Sequence, residues 1–125
     1  MDKTALVVPD IEEGRRFLEV LKKARFPLQA ALWQRDETSG QWSLLIVTPL
    51  VEELGVRGTY RRLEDILSKA PQRPKVDLLN VSVFTPEARF YRSLHRELRK
   101  ARDLFLTKRP VGDHIVEDGF IYFVK

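Results

Sequence analysis

Residues Leu28–Thr48 read LQAALWQRDETSGQWSLLIVT, and this stretch decides what kind of fold the chain adopts. Two apolar runs, Leu28–Arg35 and Trp42–Thr48, flank the polar, glycine-containing segment Asp36–Gln41. Such an arrangement predicts a β-hairpin. Pro49 stops the second strand, because proline has no N–H to give the ladder. Grouped by parity along the chain, Leu28, Leu32, Leu44 and Ile46 form one set; Ala31, Trp33, Leu45 and Val47 form the other. Both sets are apolar, which is typical of a sheet covered on both sides.

The C-terminal run repeats the pattern. Phe120, Tyr122 and Val124 alternate with Ile121 and Phe123, so Phe120–Val124 is expected away from a bare edge of the sheet. Cover for both faces has to come from helices or from a second subunit. Three helices are expected, and Trp33 shares its parity with Ala31, Leu45 and Val47, so the spacing predicts an exposed apolar patch and a homodimer.

Outward from the hairpin, Asp10 with Glu13 has capping-box spacing and opens a helix to about Arg25, with Phe17, Leu18, Leu21 and Ala24 inward. A second helix is predicted from about Arg57 to Ala70, with Tyr60, Leu63 and Leu67 inward. Leu78–Phe84 alternates as a strand does. Thr85-Pro86-Glu87 supplies a cap, a first-turn proline and an acid for a third helix, running to roughly Phe105. Gly112–Glu117 and Phe120–Lys125, around an Asp118-Gly119 turn, predict a closing hairpin. The expected order is αββαβαββ. That describes a mixed α/β or α+β domain spanning residues 1–125, with about five strands in a mixed sheet and three helices.

Thr48–Leu63, TPLVEELGVRGTYRRL, with Val116–Tyr122, VEDGFIY, resembles a group of small bacterial proteins without an assigned activity. Its members share a hairpin, a proline–glycine segment before a Tyr-Arg helix, and an Ile/Val-Glu-Asp-x-x-Ile-Tyr ending. The resemblance covers most of the chain after Phe26. It implies a bacterial origin and no particular chemistry.

Composition narrows the functional classes. With 125 residues, 43% hydrophobic and 32% charged, the chain has the makings of a globular core. The absence of cysteine removes disulfides, thiolate nucleophiles and zinc fingers, and suits a reducing compartment. The apolar run near the N-terminus is too short for a signal peptide or a membrane span, so the expected location is the cytoplasm, with no membrane partner. The net charge of +4 is unevenly spread. Between Arg89 and Arg109, eight Lys and Arg stand against Glu97 and Asp103, a net of +6 that leaves −2 for the remainder.

Catalytic patterns are weak. His95 and His114 lack metal-ligand spacing, and no Glu-x-Lys follows the acids of the first hairpin loop. Arg89 to His95 and Arg109 to His114 match the loose pattern of an Arg and a His about four to six residues apart found in an all-helical class of ribonucleases, but the strands contradict that fold. Gly55 and Gly58 fit no phosphate loop. No cofactor, metal or catalytic set is predicted. The third helix carries the strongest signal. Tyr91, Leu94, Leu98, Ala101 and Phe105 mark an inward face, and Arg89, Arg92, Arg96 and Arg99 mark the opposite one. Four arginines in a stripe suit phosphates; equally, they suit simple solvation. The sequence therefore points to a small non-enzymatic binding or interaction domain that engages nucleic acid or an acidic protein through Arg89, Arg92, Arg96 and Arg99. The alternative is a small basic enzyme such as a metal-independent ribonuclease.

Overall fold

A computed structural model describes residues 8–125. Helix α1 (Val8–Lys23) precedes the hairpin of β1 (Ala30–Arg35) and β2 (Trp42–Val47). Helix α2 (Leu50–Ser68), strand β3 (Val81–Phe84), helix α3 (Arg89–Leu98) and the strands β4 (Arg102–Val111) and β5 (His114–Val124) complete the chain. The order is the expected one. The five strands form one mixed sheet in the sequence β3-β2-β1-β5-β4, with β2 and β3 parallel and the other neighbours antiparallel. The two-faced strand β5 lies inside the sheet, between β1 and β4.

Helices cover both faces. On one, Phe17, Leu18 and Leu21 of α1 and Leu63 and Leu67 of α2 pack on Ala31, Trp33, Leu44, Ile46, Phe120 and Tyr122. On the other, Tyr91 and Leu94 of α3 pack on Leu32, Leu45, Val47, Leu106 and Ile121. Grouping by parity along the chain does not hold across the hairpin. Trp33 lies opposite Leu44, and Ala31 opposite Ile46, so an odd residue of β1 shares its face with an even residue of β2. Trp33 is only 7% exposed within a single chain. The surface on which a homodimer is expected is thus already covered by α1.

Several boundaries also differ. Helix α1 starts at Val8 and ends at Lys23, which puts Asp10 in its first turn instead of at the cap. Helix α2 starts seven residues early, directly after Pro49, and breaks at Gly55, whose φ of 75° and ψ of 173° are not helical. Before β3, the Asp77 side chain accepts the Leu79 N–H and caps a 3₁₀ turn over Leu78–Asn80, which shortens the strand. Helix α3 stops at Leu98, and Lys100 turns the chain at a φ of 72°. Ala101 and Phe105 therefore leave the helical face predicted for them. Phe105 sits in β4, 64% exposed, with its ring 4.7 Å from that of its cross-strand partner Phe120. Pairing along β5 overrides the helical spacing, because the interior strand needs a neighbour for its backbone groups.

The closing turn falls at Gly112-Asp113, where Val111 faces His114 and Gly112 has a φ of 62°. Asp118-Gly119 instead lies within β5. A Cβ on Gly119 would approach the Trp33 carbonyl oxygen to 2.8 Å, so this glycine serves close backbone approach and not a turn.

Helix α1 is fixed by a buried polar contact. Trp33 Nε1 donates to the Tyr122 hydroxyl at 2.8 Å, and that hydroxyl donates to the Ile11 carbonyl at 2.6 Å. Gly14 leaves the room for it, since a Cβ there would run into the Tyr122 hydroxyl and Trp33 Nε1. Glu13 then ties α1 to the loop before β3. Its carboxylate accepts the Lys75 N–H at 2.6 Å and an Arg16 N–H at 2.7 Å, contacts that hold it below its usual pKa.

Gly14→Ala should destabilise the fold by about 1–3 kcal/mol through overpacking, read from urea denaturation. Tyr122→Phe should cost a similar ~1–3 kcal/mol, because it leaves the buried Trp33 N–H unpaired. Burial, partly opposed by the Trp33 hydrogen bond, pushes the Tyr122 phenol up to about 12. The folded state therefore holds this proton beyond the unfolded value of 10.0. Stability from Tyr122 is complete below that value and is lost as pH rises toward 12. Alkaline denaturation of Tyr122→Phe should lack this component.

Candidate nucleic-acid interface

The chain leaves β3 at one edge of the sheet and resumes in β4 at the other edge, and α3 makes that crossing over one face. Its inner side buries Tyr91 and Leu94. Its outer side carries Arg89, Arg92 and Arg96, all exposed. Residues three and four apart on a helix are surface neighbours, and here the β4–β5 turn rises beside them. Arg89, Arg92, Ser93, Arg96, Gly112 and Asp113 together line a shallow cleft of about 370 Å³.

Contacts across the cleft hold the turn against the helix. Gly112 N–H donates to Glu97 Oε2 at 2.9 Å. A Cβ on Gly112 would strike Ser93 Oγ, so the turn comes this close only as glycine. Arg96 Nη2 donates to the same Ser93 oxygen at 3.4 Å. Neutralisation is partial, by two long ion pairs. Arg89 lies 3.9 Å from Asp113, and Arg96 lies 3.9 Å from Glu97, all four mostly or partly exposed. Exposed pairs of this kind are worth about 0–1 kcal/mol, and Arg92 takes part in neither of them.

A second cleft of about 310 Å³ adjoins the first and shares Arg89, Ser93 and Asp113 with it. Its walls are more apolar, with Leu45, Phe84, Phe90 and Val111. His114 stands at its rim, edge-on to Phe90 with ring centroids 5.3 Å apart. Gln34 Nε2 donates to His114 Nε2 at 3.0 Å, and Gln34 Oε1 is buried without a hydrogen-bond partner.

Of the four predicted arginines, three meet in one cleft. Arg99 does not join them. It is exposed, but it caps the C-terminus with a ψ of 136°, beyond the helical stripe. The sequence gives no warning of Ser93, Gly112 and Asp113, whose roles depend on where the closing turn falls. His95 lies elsewhere on α3, half-buried against the Tyr91 ring at 5.7 Å. Among the described residues, no three His, Asp or Glu side chains gather closely enough to hold a metal ion, and no helix is long and apolar enough to cross a membrane. No protein-family model, curated protein or solved structure matches the chain.

Gly112→Val should push the turn off Ser93 and lower stability by about 1–3 kcal/mol, through side-chain overlap and a φ that valine disfavours. Thermal melting checks the stability, and the tyrosine and histidine resonances of α3 report whether the turn has moved.

Proposed function

We propose that this chain is a small binding domain for single-stranded nucleic acid. One observation carries the reading. Arg89, Arg92 and Arg96 converge, with a net positive charge left after Asp113 and Glu97, on a cleft that continues into a second one lined by Phe84, Phe90 and His114. Proteins that hold single strands combine a positive track for phosphates with rings on which bases stack. The first cleft supplies the track, with Arg99 beyond its end, and the second offers aromatic surface for a base. An acidic protein would use the same arginines but has less need of rings beside them. Acid–base cleavage of RNA requires positioned groups to take and to give a proton. His114 is the one imidazole lining these clefts, so binding without turnover is the better-supported reading.

Fluorescence anisotropy with labelled single-stranded RNA and DNA oligomers tests it. Three neutralised phosphates give a slope of about −2 for log affinity against log salt concentration. Arg92→Glu with Arg96→Glu should weaken binding roughly tenfold or more across unrelated sequences and flatten that slope. The melting temperature should hold, because both side chains are exposed. Absent binding at low salt, or binding indifferent to the double change, removes the proposal. Cleavage of the RNA during incubation would favour the ribonuclease instead, and capture of an acidic polypeptide in place of nucleic acid would favour the protein partner.

A further inference from the structure

On the opposite side of the sheet, the C-terminal end of α1 and the start of β4 enclose a pocket of about 460 Å³. Its floor is apolar, formed by Phe26, Leu28 and Tyr122, all buried, and by half-buried Phe123. Its rim is cationic. Lys22 comes from α1, Arg25 from the turn after it, and Arg102 from β4, where it faces Phe123 across the ladder. All three are exposed, and among the described residues none has an acidic side chain within ion-pair distance. Among the described residues, Glu19 is the one acid in the lining. Arg15, on the same wall, is already held by Asp103 at 3.0 Å and lies over the Tyr122 ring.

Compensation of the α1 dipole accounts for Lys22 and Arg25, since cations favour a helix C-terminus. It does not account for Arg102, which reaches the same rim from a strand nearly eighty residues later. Unpaired cations from three separate segments, set around an apolar floor, are a recognition pattern. Apolar surface takes the body of a ligand, and a few placed charges fix its orientation. The volume falls within the range of small-molecule sites, about 300–1,000 Å³. We propose that this pocket binds a small amphiphilic anion, with its apolar body on Phe26, Tyr122 and Phe123 and its phosphate or carboxylate among Lys22, Arg25 and Arg102. The site is separate from the α3 clefts and does not depend on them.

Isothermal titration of the full chain tests this with three probes: adenosine monophosphate, octyl phosphate and inorganic phosphate. At least one of the two amphiphiles should bind roughly tenfold or more tighter than inorganic phosphate. The tighter of them tells whether the body is aromatic or aliphatic. Lys22→Glu with Arg102→Glu should weaken that binding roughly tenfold or more. The α3 double variant, Arg92→Glu with Arg96→Glu, should leave it unchanged, which keeps this site distinct from the nucleic-acid one. Should the charge reversal disturb folding, Lys22→Gln with Arg102→Gln removes the charges at similar side-chain length and must weaken binding in the same direction. The proposal is overturned if neither amphiphile binds at millimolar concentration, if inorganic phosphate binds as well as they do, or if binding survives in folded variants of Lys22 and Arg102.

Discussion

The contact on which the remaining structure depends is the hydrogen-bonded chain from Trp33 through Tyr122 to the Ile11 carbonyl. It joins β1, β5 and α1 at one point. Both side chains are buried, so their polar atoms must find partners or impose the cost of a lost hydrogen bond. That requirement selects one placement of α1, with Gly14 against the Tyr122 hydroxyl. Once α1 lies over β1 and β5, α2 is left to cover β2 and β3, where Leu63 and Leu67 meet Val81 and Val83. Among the described residues, no helix buries the outermost strand, β4, on that face. Phe105 stays largely bare there, and the space below the end of α1 becomes the cation-rimmed pocket.

The opposite face follows from connectivity. With β3 and β4 at the two edges of the sheet, the segment between them has to cross its full width. The segment 85–101 does so, ten of its residues in α3, which is the one helix packed on that face among the described residues. A helix lying alone on a sheet has a large solvent side, and in this chain that side is arginine. Position in the fold and concentration of charge therefore have a common origin in the β3–β4 crossing.

Much of the architecture is legible in the sequence, because burial on both faces leaves a mark on every residue of a strand. The hairpin Leu28–Thr48 and the two-sided Phe120–Val124 carry that mark plainly. What is hidden depends on pairing. Leu94, Leu98, Ala101 and Phe105 keep helical spacing, yet the last two leave the helix because β5 needs a partner strand. Asp118-Gly119 has the composition of a hairpin turn, whereas the glycine is required by the nearness of the Trp33 carbonyl. Parity along the chain could not say which residues of β1 and β2 share a face, since loop length and register decide that together. The arginines of α3 are legible because helix periodicity alone sets their spacing. Ser93, Gly112 and Asp113 become neighbours only through the turn, which is a tertiary fact.

Strand β4 has one more consequence. Its interior residues Asp103 and Lys108 both have positive φ, 49° and 46°, and both drop out of the ladder with β5; Pro110 near its end has no N–H to give. The opposite edge, β3, is four residues long. A free sheet edge is a template for another chain, and natural proteins blunt it with irregular backbone, lysine, proline or brevity. Both ends of this sheet are blunted by such means. Strand exchange and fibril-like stacking are thereby disfavoured, and assembly through side chains is favoured over assembly through backbone.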